Sequence, residues 1–370
     1  MLKRRIFLVF TVLVISITAQ SQLRDTIRIP GIPGYHTLKY DPHIHTVFSD
    51  GAVWPTIRVH EAWREGLDGI SITDHIEYRP YSNDVVSDHN RAYEVAKPLA
   101  EQLGIILIHG TEISRAMPPG HFNAIFLKDA NTTDVPDWRD AIGAAKEQDA
   151  FIFWNHPGWA RQQPDTTLWF EEHTWLLENG MMHGIEVVNG RSYYPEAHQW
   201  CLDMGLTMVG TSDIHNPIGM DYDLQGGERR PMTLVFARER TAEGIRKALF
   251  AGRTAVYFDD KIVGREEYLD ALFRESLQVR SVTRGQGSYG IRLYNPTDIP
   301  LEISKARGND PSFEFFRTTT VPAGGYSNIS VYISNARDYD QIELRLNIDN
   351  FLVEPGKGLP VTMRFVPDAN

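Results

Sequence analysis

Seven short apolar runs bounded by Gly, Pro or polar residues occupy 37–40, 69–73, 105–109, 122–127, 151–155, 184–188 and 206–210. Runs this short and this apolar are the pattern of strands buried on both faces. Helical stretches lie between most of them. Residues 56–65 set Ile57, Ala62 and Trp63 among charges and stop at Gly66; 91–103 stop at Gly104 and 195–204 at Gly205. A glycine just past the last turn is the usual helix stop. Such alternation predicts a parallel sheet, either open or closed into a barrel. A further strand at 232–236 and a helix over 245–251 lead to Gly252-Arg253-Thr254, where Arg253 is expected to support the closing segment.

Nine side chains of metal-ligand type fall close to the ends of these runs: His43, His45, Asp50, His75, Glu112, His121, His156, Asp213 and His215. Imidazoles and carboxylates suit Zn²⁺, Mn²⁺ or Fe²⁺, and nine exceed what one ion can use. His43 and His45 are two apart, so on an extended strand both face one side. Asp213 and His215 repeat that spacing. Each element has a plainer reading. Asp50-Gly51 is also a turn, Asp74 is also a group that orients His75, Glu112 is also a partner for Arg115, and His156 before Pro157-Gly158 is also a core-rim residue. Their recurrence beside most of the strands argues against coincidence, and their clustering mainly at strand C-termini fits a barrel with its site on that face.

The 370 residues carry a net charge of −11 and no long basic run, which disfavours a stable nucleic-acid partner. Lys3, Arg4 and Arg5 precede an almost wholly apolar stretch, 6–19, with Ala19 as a small residue before a cleavage point near Gln20. That is an export-signal pattern, and the stretch is short of the roughly 20 residues a spanning helix needs. Cys201 is the sole cysteine, so no intrachain disulfide forms and no lipid attaches after the signal. A periplasmic or extracellular bacterial location is expected. From about Ser276 the helical pattern stops, and alternating segments at 277–283, 289–295, 301–305, 326–333, 341–348 and 361–365 predict a small antiparallel β-sandwich. Its Tyr289, Tyr294, Phe313, Phe315 and Phe316 are either core or a face for a glycan or protein.

The order DPHIHTVFSDG, SITDH, GTE, GHFNAIFL, NHP, TSDIH resembles the PHP (polymerase and histidinol phosphatase) superfamily over roughly residues 38–260. The resemblance implies an α/β fold, a distorted (β/α)7 PHP barrel followed by the small antiparallel β-sandwich-like domain. The expected division is a signal over 1–20, a metal-dependent hydrolase domain over 21–265 and a C-terminal domain over 270–370. It further implies two or three divalent ions (Zn, Mn or Fe). His43, His45, Glu112 and Asp213 would hold the first; Glu112 would bridge to a second on His121 and His156; Asp50, His75 and His215 would form a third site. Asp at position 50, where some members carry His, resembles the branch acting on nucleotides and other small phosphoesters.

The expected activity is hydrolysis of a small phosphomonoester or phosphodiester by attack of a metal-bridging hydroxide on phosphorus. Asp213 or His215 would carry the proton. Arg191 is the first candidate to clamp the phosphoryl group and Arg161 the second. Two other readings stay open: a metal-dependent amidohydrolase, and a non-catalytic metal-binding module presenting its C-terminal domain.

Overall fold

The computed structural model describes residues 24–335 and 339–368, so the export signal expected over 1–20 lies outside the described residues. The first half runs β1 (His36–Ile44), α1 (Pro55–Arg64), β2 (Gly69–Ile72), α2 (Arg91–Leu103), β3 (Ile106–Ile113), β4 (Phe122–Ile125), α3 (Trp138–Glu147), β5 (Phe151–Trp154), α4 (Glu171–Glu178), β6 (Gly184–Asn189), β7 (Ser192–Tyr193), α5 (Pro195–Met204), β8 (Thr207–Thr211) and α6 (Ile218–Asp221). Next come β9 (Met232–Ala237), α7 (Ala242–Phe250), β10 (Thr254–Phe258), β11 (Lys261–Gly264) and α8 (Glu266–Ser276). Each expected apolar run is a strand, and Gly104 and Gly205 end α2 and α5 in the left-handed conformation at φ 69° and 73°. Those two positions tolerate no Cβ cheaply.

The architecture is a mixed α/β sheet rather than a uniform strand–helix repeat. β1, β2 and β3 are parallel, as are β5, β6 and β8. β4 is antiparallel to both β3 and β5 and follows β3 directly. Its reversal has a consequence for chemistry: the N-terminal end of β4, where His121 sits, lies on the rim where β3 and β5 end. A parallel bridge between Ile44 and Ile214 returns the chain after β8 to the end of β1. His45 N–H donates to Ile214 O at 3.1 Å and Asp213 N–H to His43 O at 3.0 Å beside it. On its other edge β1 pairs antiparallel with β9. Buried Leu38, Tyr40, Ile108, Phe153, Val209 and Val235 pack together beneath this rim.

Helix α1 differs from the face expected of it. Pro55 starts it, as suits the first helical position. It buries Arg58, Val59, Glu61 and Ala62, while Ile57 is 42% exposed. A charged pair faces inward because Arg58 finds backbone carbonyls there, described below.

The C-terminal strands are β12 (Gln278–Gly285), β13 (Ser288–Tyr294), β14 (Leu301–Lys305), β15 (Phe313–Glu314), β16 (Thr318–Val321), β17 (Tyr326–Ile333), β18 (Ile342–Glu354) and β19 (Lys357–Phe365). One antiparallel sheet has the order β12-β13-β17-β15. The other strands do not form a separate sheet: β18 pairs in parallel with β11 through Ile262–Phe351 and Val263–Leu352. The sheet of the first half therefore continues into β18, β14, β16 and β19. Ile291, Leu293, Ile329 and Val331 share a core with Leu301, Ile303, Leu344 and Leu346, and Tyr289 and Phe313 are buried in it. Tyr294 instead stacks on Tyr326 with ring centroids 4.5 Å apart.

Candidate metal centre

All nine expected ligands converge on one rim. His43 lies at the end of β1 and His45 just past it, both fully buried. The turn after it supplies Asp50, the end of β2 leads to His75, β3 carries Glu112, and His121 precedes β4. His156 follows β5, and Asp213 and His215 follow β8. Three groups have ligand atoms close enough for one ion each: His45–Asp50–His75–His215, His43–His45–Glu112 and His75–Glu112–His121.

Glu112 is the hub. Its Oε2 lies 2.9 Å from His75 Nδ1 and 3.3 Å from the Nε2 atoms of His43 and His45. Its Oε1 lies 2.8 Å from His121 Nδ1 and 3.5 Å from His156 Nε2, and accepts from Asn155 Nδ2 at 3.0 Å. The two oxygens thus face two different sets of imidazoles. Asp213 Oδ1 lies 3.2 Å from His43 Nε2 and 3.0 Å from His45 Nε2. Asp50 Oδ1 lies 3.1 Å from His215 Nε2 and 3.5 Å from His75 Nε2.

The hydrogen bonds at the outer nitrogens show what these inner atoms want. His43 Nδ1 donates to Glu186 Oε1 at 2.7 Å, so its Nε2 carries a lone pair. Ser49 Oγ donates to Asp74 Oδ1 at 2.7 Å, leaving it to accept from His45 Nδ1 at 3.3 Å. His45 Nε2 then also presents a lone pair, yet the two Nε2 atoms stand only 3.0 Å apart. In His215 Nδ1 donates to Asp213 O at 2.8 Å and Nε2 lies 3.1 Å from Asp50 Oδ1; against burial, Asp50 and Asp213 raise its pKa to about 9, so that contact takes either a proton or a metal cation. Asp50 Oδ1 and Asp213 Oδ1 are buried and receive no hydrogen bond. Lone pairs aimed at one another in a buried site are repulsive unless a proton or a metal cation lies among them. The donor set fits divalent ions.

The electrostatics set buried carboxylates against imidazoles. Burial pushes the Glu112 carboxyl up, but His75, His43 and His121 outweigh it and hold it well below the usual carboxylate range. Asp213 is likewise pulled far down against burial by His43, His45 and His215. Burial and the neighbouring His215 and His75 lower His45, which keeps its ring neutral. In His43 burial is overcome by Asp213, Glu186 and Glu112, so its pKa rises well above the ordinary value.

Sequence reasoning missed the supports. Glu186, fully buried on β6, accepts from His43 Nδ1 and Thr211 Oγ1 (2.8 Å) with one oxygen. With the other it accepts from His156 N (2.6 Å) and Asn189 Nδ2 (2.9 Å). Its only signal is an acidic residue inside the apolar run 184–188. Asp74 accepts from Thr46 N, Thr46 Oγ1 and Ser49 Oγ, each at 2.7 Å, which fixes the turn carrying Asp50. Buried Arg230 pairs with Glu65 and Asp41, and Asp41 takes Ser212 N at 3.1 Å beside Asp213.

The arginines sort differently from expectation. The structure does not bring Arg191 into the cluster. Its exposed guanidinium pairs with Glu228 at 2.6 Å and donates to Asp221 O at 2.7 Å. Arg161 lies over the Trp159 ring at 5.6 Å, and that ring packs 5.2 Å from His156 and 5.6 Å from His121. Arg115 pairs with Glu77, not with Glu112. Among the other histidines, His173 and His198 are fully buried rather than solvated, and His109 stacks on Tyr93.

Comparison with known proteins agrees with this picture. A family model for an Ig-like domain matches residues 277–364. A segment of 78 residues is 38% identical to a 5'-3' exoribonuclease of Haemophilus influenzae, covering 21% of this chain and 24% of that enzyme's length. A crystal structure from Bacteroides vulgatus, of a two-domain protein containing a predicted PHP-like metal-dependent phosphoesterase, is 50% identical, with a TM-score of 0.90 over 93% of this chain and all of that one. With half of its residues shared over the whole length of that protein, the chain belongs to the family of two-domain PHP-like proteins with an Ig-like C-terminal domain.

Proposed function

We propose that this protein is a metal-dependent phosphoesterase that hydrolyses a small phosphomonoester or phosphodiester. The observation that carries the reading is Glu112, buried with each carboxylate oxygen facing a separate group of imidazoles whose lone pairs converge. Divalent ions there would supply Lewis acidity and a nucleophilic hydroxide at neutral pH. The proposed ligands are His43, His45, Glu112 and Asp213 for one ion, Glu112, His121 and His156 for a second, and Asp50, His75 and His215, with His45 close by, for a third. The seven strands β1–β6 and β8, returned to β1 at Ile44–Ile214, are read as the distorted barrel that presents them.

The remaining roles belong to the chain itself. Glu186 and Asn155 hold His43 and Glu112 in register, so no reorganisation is needed when substrate arrives. Asp213, at the carboxylate oxygen that does not face His43 and His45, would pass the proton between attacking water and leaving group, and His215 would do so at Nε2 when the third site holds no ion. Arg161, free of any ion pair among the described residues and seated over Trp159, takes the anion-contact role in place of Arg191. Trp159 and Tyr78, whose ring lies 6.2 Å from His75, would flank the ester's leaving group. The shared segment with an exoribonuclease adds phosphodiesters to the substrates to try first.

The proposed division is a hydrolase domain over 21–265 and a C-terminal domain over 270–370, preceded by an export signal. No helix among the described residues is long and apolar enough to cross a membrane. The test is release of p-nitrophenol from p-nitrophenyl phosphate and its bis-ester by protein reconstituted with Mn²⁺, Zn²⁺ or Fe²⁺. Metal-dependent turnover lost in Glu112→Ala supports the reading, and turnover indifferent to metal refutes it.

A further inference from the structure

Arg58 makes a set of bonds that no fold requirement of α1 explains. Its side chain is fully buried. Nε donates to His45 O at 2.8 Å, NH1 to Asn216 O at 2.8 Å, and NH2 to Ile214 O at 3.0 Å and His215 O at 2.7 Å. NH1 also pairs with Glu61 Oε2 at 2.8 Å, whose other oxygen accepts Ile218 N at 2.8 Å. One guanidinium therefore spans the chain leaving β1 and the chain leaving β8. The regular pairing of β8 is with β6, and beyond it the two ends are joined by the Ile44–Ile214 bridge, by Ala52 N–H to His215 O at 2.7 Å and by Ser212 bonded to Asp41. The peptides whose carbonyls point down at Arg58 belong to His45 and His215, or adjoin them. Above, those two rings stack at 4.2 Å with 22° between their planes.

We propose that Arg58, with Glu61, is a positioning residue that holds His45 and His215 at ion-binding separation and so sets the affinity of the His45–Asp50–His75–His215 group. The inference rests on the metal reading above. The planar fork of five N–H donors is what the geometry needs. Four carbonyls spread over two chain segments, with Glu61 as a fifth acceptor on the same helix, suit a guanidinium, and the three donors of a lysine ammonium cannot reproduce them. Removing the fork leaves His45 O and Asn216 O without this donor, while Ile214 O keeps His45 N–H and His215 O keeps Ala52 N–H, and the two unpaired carbonyls relax by moving the peptides that carry them. The His121–His156 side of Glu112 sits on β3, β4 and β5, which Arg58 does not touch.

The experiment compares Arg58→Lys with the wild-type chain by stepwise Zn²⁺ affinities in chelator competition and by the visible spectrum of bound Co²⁺, with Asp50→Ala marking the ion that belongs to this group. The expected result is a loss of about 10- to 100-fold for that ion, the range seen when a ligand's support is removed, a smaller loss for the ion that shares His45, and the ion on His121 and His156 held to within about twofold. Equal weakening of every ion, or no weakening, overturns the proposal. If Arg58→Lys does not fold, Glu61→Gln replaces it. That variant leaves the carbonyl bonds but removes the partner charge, and a smaller loss in the same order among the ions is expected. Uniform loss overturns the proposal there too. A wild-type chain that binds no divalent ion overturns the metal reading itself, which is a different outcome from a metal-loaded chain indifferent to Arg58.

Discussion

Glu186→Gln changes one atom and should disturb the centre without touching a proposed ligand. The carboxylate receives four donors, two at each oxygen, at 2.6–2.9 Å. A glutamine offers one oxygen and one NH₂, so whichever way it sits, two donors meet an N–H. If the oxygen stays with His43 and Thr211, the buried His156 amide loses its acceptor and Asn189 Nδ2 is left with Thr211 Oγ1 at 3.3 Å and Asp213 Oδ2 at 3.2 Å. If it turns, His43 Nδ1 and Thr211 lose theirs. Each buried donor left alone costs about 1–3 kcal/mol, so the fold should lose about 1–3 kcal/mol in the first arrangement and about 2–6 kcal/mol in the second. In the second arrangement His43 also loses the carboxylate that fixes its tautomer, which typically weakens an ion by about 10- to 100-fold. The assay is chelator competition on the reconstituted protein beside urea unfolding of the ion-free chain. Unchanged affinity together with unchanged stability would refute the argument that Glu186 orients the site.

Acid should destabilise the fold through His173 and His198, both held near 4 by burial. Their depressed pKa means the neutral ring is the folded form; its stabilisation is complete above about pH 6.5 and is lost as pH falls toward about 4, at about 2 kcal/mol for each by pH 5. Urea midpoints at pH 7.5 and pH 5 should therefore separate less in His198→Phe than in wild type, and equal separation would count against it. Gly51→Ala sets a Cβ 2.6 Å from the carbonyl carbon of His45 and from Thr46 N, backbone atoms that cannot step aside. It should cost about 1–3 kcal/mol and lower the metal retained after dialysis; full retention would show that the turn is looser than its packing implies. Trp159→Ala should raise KM for aryl phosphoesters about fivefold with metal content unchanged, since a stacked ring contributes about 1 kcal/mol. A fall in kcat alone would place Trp159 elsewhere in the chemistry.

What the sequence reveals and what it hides divide along a physical line. His43–His45 is legible because i, i+2 residues at a strand end face one side, and Asp213–His215 because the spacing recurs beside another strand, although Asp213 itself turns out of the extended conformation at φ 51°. Glu112 is legible as a lone acid in a strand beside them. Glu186 is not, because its partner His43 is 143 residues away and an acid in an apolar strand reads equally as an edge residue. Arg58 and Glu61 read as the solvent side of an amphipathic helix; only the closure of β8 onto β1 reveals carbonyls for them to face. The buried His173 is hidden for the same reason, since its acceptor is Pro119 O, 54 residues back. Arg191 misled because distance from a strand end says nothing of whether Glu228 claims the side chain first. The C-terminal strands show their alternation, but the β11–β18 pairing that fuses them to the first sheet leaves no local trace.

The most direct test of the central claim is anomalous diffraction from crystals of the full chain soaked in Mn²⁺. The account predicts two or three peaks inside the cluster, with Glu112 shared between two of them. No peak within reach of Glu112, at a Mn²⁺ concentration that supports turnover, would contradict it.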